Sequence, residues 1–184
     1  YKIKDVVTDN GVTALDGKTS VLKDEIRIGD VVINDVPNGR DLLGKYAEVY
    51  YKFSEEIDDR SFLYCNINNS RNQIIKLATS NIDGYENMTY RYQVDEFSQT
   101  EKMRLDAGFT VIYNGKAVES TAVLNQELMK PADGVVTLID NNGDGLADVV
   151  VINSYRTIVV SHADRSNNMI ADKNDSDFII LDKN

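Results

Sequence analysis

Short runs in which apolar and polar residues alternate recur along the whole chain, and turns rich in Gly, Asn and Asp separate them. Alternation at every second residue is typical of β-strands that bury one face. The pattern predicts strands over residues 1–8, 12–15, 24–35 (broken at Gly29-Asp30), 46–53, 61–67, 73–79, 88–94, 109–113, 116–118, 135–139, 149–152 and 178–181. Residues 95–108 are polar and favour neither strand nor helix.

Helical patterns are scarce by comparison. Asp41–Gly44 is predicted to form one helical turn with Asp41 as its N-cap. Thr121–Met129 has apolar residues at helical spacing and is predicted to form a short helix that ends before Pro131. The sequence therefore predicts a mainly β fold, with one or two small β-barrel or sandwich units and one short helix.

We expect three segments along the chain. These are an N-terminal β unit over residues 1–90, a C-terminal β unit over 91–163, and a polar tail over 164–184 with a final strand. One continuous unit is the alternative. Residues 155–176 resemble residues 1–20 weakly, so a further module of a tandem array would start at about Tyr155. Two ordinary strand–turn–strand units would explain the same resemblance.

Charge and composition exclude several classes of partner. The net charge is −10, which repels phosphate backbones and argues against nucleic-acid binding.

Cys65 is the only cysteine, so no internal disulfide can form. No apolar run approaches the roughly 20 residues that span a bilayer, and no signal peptide is recognisable. Because the sequence begins at Tyr1, we expect a processed product or an excised part of a longer chain.

The residues that best indicate chemistry lie between the strands predicted at 135–139 and 149–152. Asp140, Asn142, Asp144 and Asp148 fit the spacing D-x-N-x-D-G-x-x-D, and Gly145 permits a sharp turn. A hard cation such as Ca²⁺ takes six to eight oxygen ligands on such a loop, including a backbone carbonyl at the position of Leu146. The sequence thus predicts a Ca²⁺ site formed by Asp140, Asn142, Asp144, Leu146 and Asp148.

This acidic loop does not belong to an EF-hand. An EF-hand requires Glu at position twelve, where Val151 stands, and a helix on each side, where β-branched runs stand. A plain acidic hairpin turn is the alternative to an ion site. Three carboxylates in one loop would repel each other without a cation, which favours the ion. A structural role is expected in either case.

Catalytic signals are weak. His162 is the only histidine and lies near Ser161 and Asp164, but no G-x-S-x-G motif accompanies it, and an exposed histidine is the expected alternative. Cys65 lies inside a strand pattern, which favours burial. The pairs Glu55-Glu56 and Asp58-Asp59 could serve glycoside hydrolysis, yet adjacent loop charges are usually solvated. We therefore expect no enzymatic activity.

Tyrosines offer a second kind of binding surface. Tyr90 and Tyr92 share one face of a predicted strand, as do Tyr51 and Phe53. Such a face could bind sugars or a protein partner. The alternative, which the β-rich pattern favours, is that these rings pack around the core.

The stretch VVTLIDNNGDGLADVVVINSYRTIVV resembles strand–DNDGDG–strand segments in β-rich modules of large extracellular proteins of Gram-positive bacteria, where they often accompany S-layer homology domains. The segments IGDVVIND, DLLGKYAEVYY and FTVIYNGKAV resemble the same modules, so the resemblance covers most of residues 25–160. The loop also resembles Ca²⁺ loops of integrin-type propellers, although a single copy argues against a propeller.

The resemblance implies a structural or adhesive module outside the cell, at a bacterial surface or in the virion of a phage that infects such bacteria. Its expected partners are neighbouring copies or modules of the same assembly, and surface glycans in the alternative of a carbohydrate-binding module. The implied cofactor is Ca²⁺, held by the acidic loop in surroundings where calcium is plentiful.

Overall fold

In the computed structural model, residues 1–67, 70–95, 97–118, 125–173 and 178–180 are described. The chain divides into two compact units, Tyr1–Ser154 and Tyr155–Asn184. The fold is mainly β, as predicted, and its described part contains one short α-helix. The division differs from the one predicted at residue 90, because strands on both sides of that residue pair within one sheet.

The first unit begins with a small five-stranded sheet that curls on itself and is called the barrel below. Its strands are β1 (Lys2–Asp9), β2 (Ile26–Ile28), β3 (Val31–Ile33), β4 (Tyr46–Ser54) and β5 (Asp59–Asn66), paired in the order β3-β2-β1-β4-β5. Asn34 closes the ring, because its N–H donates to the Arg60 carbonyl at 2.8 Å and its carbonyl accepts from the Phe62 N–H at 3.1 Å. The side-chain amide of Asn34 also donates to the carboxylate of Asp59 across this seam. Alternate residues fill the barrel interior: Val7, Ile26, Ile28, Ile33, Val36, Ala47 and Val49.

Two local predictions in this barrel need correction. The predicted turn is a 3₁₀ helix over Gly39–Leu42, and Asn38, with φ of 55°, takes the N-cap position that was predicted for Asp41. Residues 12–15 form a single bridge, Asp9 with Ala14, rather than a strand. The reason is that the Asn10 side chain accepts hydrogen bonds from the N–H groups of Val12 and Thr13, which curls the segment.

The rest of the first unit is a seven-stranded sheet. Its strands are β6 (Gln73–Ala78), β7 (Ile82–Glu86), β8 (Thr89–Tyr92), β9 (Glu101–Tyr113), β10 (Lys116–Val118), β11 (Gly134–Asp140) and β12 (Ala147–Ser154). They pair in the order β6-β11-β12-β9-β8-β7, and β10 pairs with β9. The segment over which the pattern was ambiguous is a strand from Glu101 onward. Met103 and Leu105 are buried there and alternate with exposed Lys102 and Arg104.

The centre of this sheet is its parallel pair, β9 with β12. A strand inside a sheet can bury both faces, which explains the nearly continuous apolar run over residues 149–152. The helix predicted at Thr121–Met129 is represented by α1 (Gln126–Met129), and residues 121–124 lie outside the described part. The Asn125 side chain caps α1 by accepting from the N–H groups of Glu127 and Leu128.

The barrel and the sheet share a small apolar core. Buried Leu43 packs there with Ile112, Ile139 and Val149. The approach is close at Gly44, where a Cβ atom would lie 3.0 Å from two methyl groups of Val149. The hydroxyl group of Thr13 also donates to the Gly115 carbonyl oxygen. The two β structures therefore form one unit.

The second unit is an antiparallel meander of β13 (Val160–Asp164), β14 (Met169–Asp172) and β15 (Phe178–Ile180). The predicted last strand is present as β15. The predicted tail, residues 164–184, also contains β14, and β13 ends at the first residue of that tail. Buried Asp172 accepts hydrogen bonds from Arg156 and from the N–H of Val159. The unit begins at Tyr155, and the tandem array stays a prediction.

Candidate metal centre

The acidic loop, residues 140–148, joins the antiparallel strands β11 and β12. Their last backbone pair is Ile139 with Val149, so the loop closes a regular ladder. Gly143 and Gly145 both have φ of +83°, a conformation that L side chains rarely adopt. Glycine at these two positions allows the chain to turn twice within the loop.

Asp140 organises the loop from within. The residue is buried, with 1% of its surface exposed. Its carboxylate accepts from the N–H groups of Asn142 at 3.1 Å, Gly143 at 2.6 Å and Gly145 at 2.8 Å. Because both oxygens of this carboxylate accept hydrogen bonds from backbone N–H groups of the loop, an aspartate at this position fixes the conformation of the turn. One oxygen lone-pair site of Asp140 is left for a further partner.

Asn142 and Asp144 repeat the same local bond at the rim of the loop. The side-chain oxygen of Asn142 accepts from the N–H of Asp144 at 2.8 Å, and Asp144 accepts from the N–H of Leu146 at 2.8 Å. Both Asn142 and Asp144 are exposed, whereas Leu146 is half-buried. The predicted ligands thus follow each other around the turn, and each oxygen keeps lone-pair capacity for a cation.

Asp148 closes the loop onto its first residues. Its carboxylate accepts from the N–H of Asn141 at 2.8 Å and from the side-chain amide of Asn142 at 3.1 Å. Burial raises the pKa of this carboxyl, and the nearby carboxylates of Asp140, Asp144 and Asp106 raise it further. The negative charge of Asp148 is therefore disfavoured in the folded protein, and a cation at this position would relieve that cost.

The donor set suits a hard cation by its chemistry. It contains carboxylate and amide oxygens without sulfur or imidazole, which is the set that Ca²⁺ prefers. Within the described residues, Asp140, Asp144 and Asp148 form no ion pair with Lys or Arg. In the same residues, no three His, Cys, Asp or Glu side chains are gathered as a metal cluster. An ion at this loop would therefore use the Asn142 amide oxygen in addition to the carboxylates.

Sequence reasoning missed Asn141, which lies between two predicted ligands. Its side-chain amide donates to the Gly44 carbonyl at 2.8 Å and so ties the loop to the barrel. Gly143 lies against the segment that leads from barrel to sheet, since a Cβ atom there would be 3.4 Å from the Ser70 carbonyl oxygen. Asn141 stands at a position of the motif that contributes no ligand to the ion. An amide side chain at such a position was the sequence signal for a role other than ion binding.

The other candidates do not form catalytic groupings in the described residues. His162 is exposed, and Ser161 donates its hydroxyl hydrogen to the Ala171 carbonyl at 3.2 Å rather than to His162. Asp164 accepts instead from Ser166 and Asn167, and these bonds, led by that from the Asn167 side chain, lower its pKa. The Ser–His–Asp arrangement is therefore not assembled.

Cys65 and the acidic pairs also have structural surroundings. Cys65 is half-buried, and burial raises the pKa of its thiol, which disfavours the reactive thiolate. Asp59 binds Ser61 and Asn34 at the barrel seam, and these hydrogen bonds lower its pKa. Asp58 pairs with Arg60 at 3.0 Å, and Glu55-Glu56 lie in the same turn.

Tyr90 and Tyr92 are core residues. Their exposed fractions are 0% and 2%, so neither ring can receive a ligand at the surface. Core packing, which the sequence pattern favoured, is confirmed for this pair. Burial raises the pKa of Tyr92 to about 12, and the hydroxyl of Tyr92 donates to Glu101 at 3.2 Å.

No family model, curated protein or solved structure matches the chain. Among the described residues, no helix has both the length and the apolar character to cross a bilayer.

Proposed function

We propose that this protein is a non-enzymatic structural module of an extracellular assembly, either a bacterial surface layer or a phage particle. In this proposal the acidic loop binds one Ca²⁺ through Asp140, Asn142, Asp144, Asp148 and the Leu146 carbonyl. The observation that carries it is the position of the loop, which contacts both the barrel and the segment that leads into the sheet. An ion there would stiffen the joint between the two β structures.

The contacts at this joint support a mechanical role for the loop. Asn141 binds Gly44 on the barrel side, and Gly143 packs against Ser70 and Arg71. Directly beside them, Leu43 and Val149 belong to the shared apolar core. A loop that is held at two places can transmit the rigidity of an ion site to its neighbours.

Calcium would contribute stability by neutralising charge that the fold leaves unpaired. The raised pKa of Asp148 reflects burial and three neighbouring carboxylates, so a divalent cation offsets a cost that the folded state otherwise bears. A ligand that binds only the folded state stabilises it by about 2.7 kcal/mol at one hundred times its Kd. Loops of this kind in extracellular modules bind weakly, with Kd of roughly 10⁻⁴–10⁻³ M, which suits calcium-rich surroundings.

The proposed setting rests on the resemblance and on charge. A chain of net charge −10 is poorly suited to nucleic acid, and a structural module has copies or adjoining modules of the same assembly as partners. The buried carboxylate Asp140 and the two closely packed β structures are compatible with a rigid building block.

The test is thermal unfolding with 5 mM CaCl₂ or with EDTA. We expect a Tm several degrees higher with Ca²⁺, and Asp144→Ala should abolish the difference. Asp30→Ala is the matched control, because Asp30 is also exposed and lies outside the acidic loop. A Tm that does not respond to Ca²⁺ in the parent chain would refute the ion site. Antibody labelling of intact cells and purified virions tests the setting, and a purely cytosolic signal would contradict it.

A further inference from the structure

A β-bulge in the barrel turns two large apolar side chains toward solvent. Tyr50 pairs with Tyr64, and the next pair is Tyr51 with Phe62, so Leu63 is an extra residue in β5. Neighbouring residues of a regular strand point to opposite faces, whereas here Leu63 and Tyr64 are both exposed, at 52% and 58%. Bulges of this kind are used to redirect side chains, often at functional sites.

The exposed ring of Tyr64 has an aromatic neighbour on the adjacent strand. The ring centroids of Tyr50 and Tyr64 lie 6.1 Å apart, with 45° between their planes. Because they are held on paired strands, the two rings form a preorganised apolar platform. Binding to such a platform costs little conformational entropy, because each tyrosine has only two side-chain torsions.

Polar groups surround this platform in fixed positions. The hydroxyl of Tyr50 donates to Glu48 at 2.6 Å, and Glu48 pairs with Lys2 at 3.2 Å and with Lys4 at 3.0 Å. The hydrogen bond from Tyr50 and those from the lysines lower the pKa of Glu48 to about 2, so this carboxylate is ionised at any physiological pH. Donors and acceptors thus lie side by side next to an apolar ring pair.

The local charge has the opposite sign to that of the chain. Lys2 and Lys4 bring two positive charges to one carboxylate, whereas the whole chain has a net charge of −10. Lys2 also lies over the Tyr50 ring, with its Nζ atom 5.6 Å from the centroid. A surplus positive charge beside aromatic rings favours a ligand that combines a ring with an anionic group.

We propose that this surface, the tyrosine face, is a binding site for an anionic saccharide. The face consists of Lys2, Lys4, Glu48, Tyr50, Leu63 and Tyr64. The sugar ring stacks on the exposed ring of Tyr64 beside Tyr50, its hydroxyl groups bond to Glu48, and its carboxylate or phosphate group pairs with the lysines. The site lies on the barrel and does not depend on calcium in the acidic loop.

The experiment is NMR titration of the ¹⁵N-labelled chain with four probes. Trigalacturonic acid has sugar rings and carboxylates, glucose 6-phosphate has a sugar ring and a phosphate, maltotriose has neutral rings, and inorganic phosphate has charge alone. We expect shifts at residues of β1, β4 and β5 with one or both of the anionic sugars. Their Kd should be at least about tenfold lower than that of maltotriose or inorganic phosphate.

Substitutions separate the stacking contribution from the charge. Tyr64→Ala should weaken binding of the anionic sugar about tenfold, and Lys4→Gln should reduce its preference over maltotriose. Tyr155→Ala is the matched control, because Tyr155 is equally exposed, at 58%, in the second unit. Folding of each variant is checked by its amide spectrum.

Three outcomes would overturn the proposal. The first is the absence of shifts at the tyrosine face with every anionic sugar. The second is an effect of Tyr155→Ala equal to that of Tyr64→Ala. The third is sedimentation that shows a dimer of the parent chain and a monomer of Tyr64→Ala, because the face would then be an interface between copies.

Discussion

The hydroxyl group of Tyr90 donates a hydrogen bond to the backbone carbonyl of Met129 at 2.7 Å, and both residues are completely buried. This bond joins the sheet to the end of α1. Tyr90→Phe would leave the buried carbonyl without this donor, so we expect the free energy of unfolding to fall by about 1–3 kcal/mol. Urea unfolding measures it. Tyr155→Phe, at an exposed site, should change the free energy by less than about 0.5 kcal/mol.

A comparison of two glycines tests the close packing between barrel and sheet. Gly44 and Gly115 have nearly equal φ, +79° and +77°, but only a Cβ atom on Gly44 would meet other atoms, 3.0 Å from Val149. Gly115→Ala should cost about 1–2 kcal/mol for its backbone conformation. Gly44→Ala should cost about 1–3 kcal/mol more because it also overpacks the shared core. Equal losses in urea unfolding would show that the two structures are not packed tightly there.

Calcium and pH should act together on the acidic loop. Because the pKa of Asp148 is raised above its ordinary value of 3.8 in the folded state, its contribution is most favourable below pH 3.8. That contribution is lost as the pH rises through the raised pKa. We therefore expect the Tm gain from Ca²⁺ to be larger at pH 7 than at pH 4. Asp148→Asn should flatten this pH dependence, and an equal gain at both pH values in the parent chain would contradict the assignment.

Glu48 should produce the opposite pH dependence. Its pKa is lowered to about 2 from 4.5 by Tyr50 and the two lysines, so its stabilising contribution is present above pH 4.5. The contribution disappears as the pH falls toward 2. Glu48→Gln should therefore lower stability at pH 7 and match the parent near pH 2, as measured by urea unfolding across that range. Glu86→Gln, at a more exposed pair 3.8 Å from Arg91, should show a smaller change.

Alternation of side chains predicted most strands because each strand buries one face. The sequence pattern was ambiguous over 95–108, where β9 begins with charged residues on its exposed side. It also could not reveal that β9 and β12 run parallel, since pairing between distant segments leaves no local signature. For the same reason the sequence did not show that residue 90, where we predicted a boundary between two units, lies inside a sheet.

The acidic loop was recognisable because its turn chemistry is local. Asp140 and Asn142 bond to N–H groups only a few residues away, so their spacing in the sequence specifies their contacts. The tie from Asn141 to Gly44 spans 97 residues and could not be foreseen. The tyrosine face was missed because the bulge at Leu63 breaks the alternation from which faces are predicted.

The first and last strands of the larger unit, β1 and β12, are interior strands. β1 lies between β2 and β4, and β12 lies between β11 and β9. Each of these strands is hydrogen-bonded to a neighbour on both sides. Tension between them would therefore have to break both sets of hydrogen bonds together, whereas an edge strand can be detached one bond at a time. The arrangement would therefore resist tension applied along the chain.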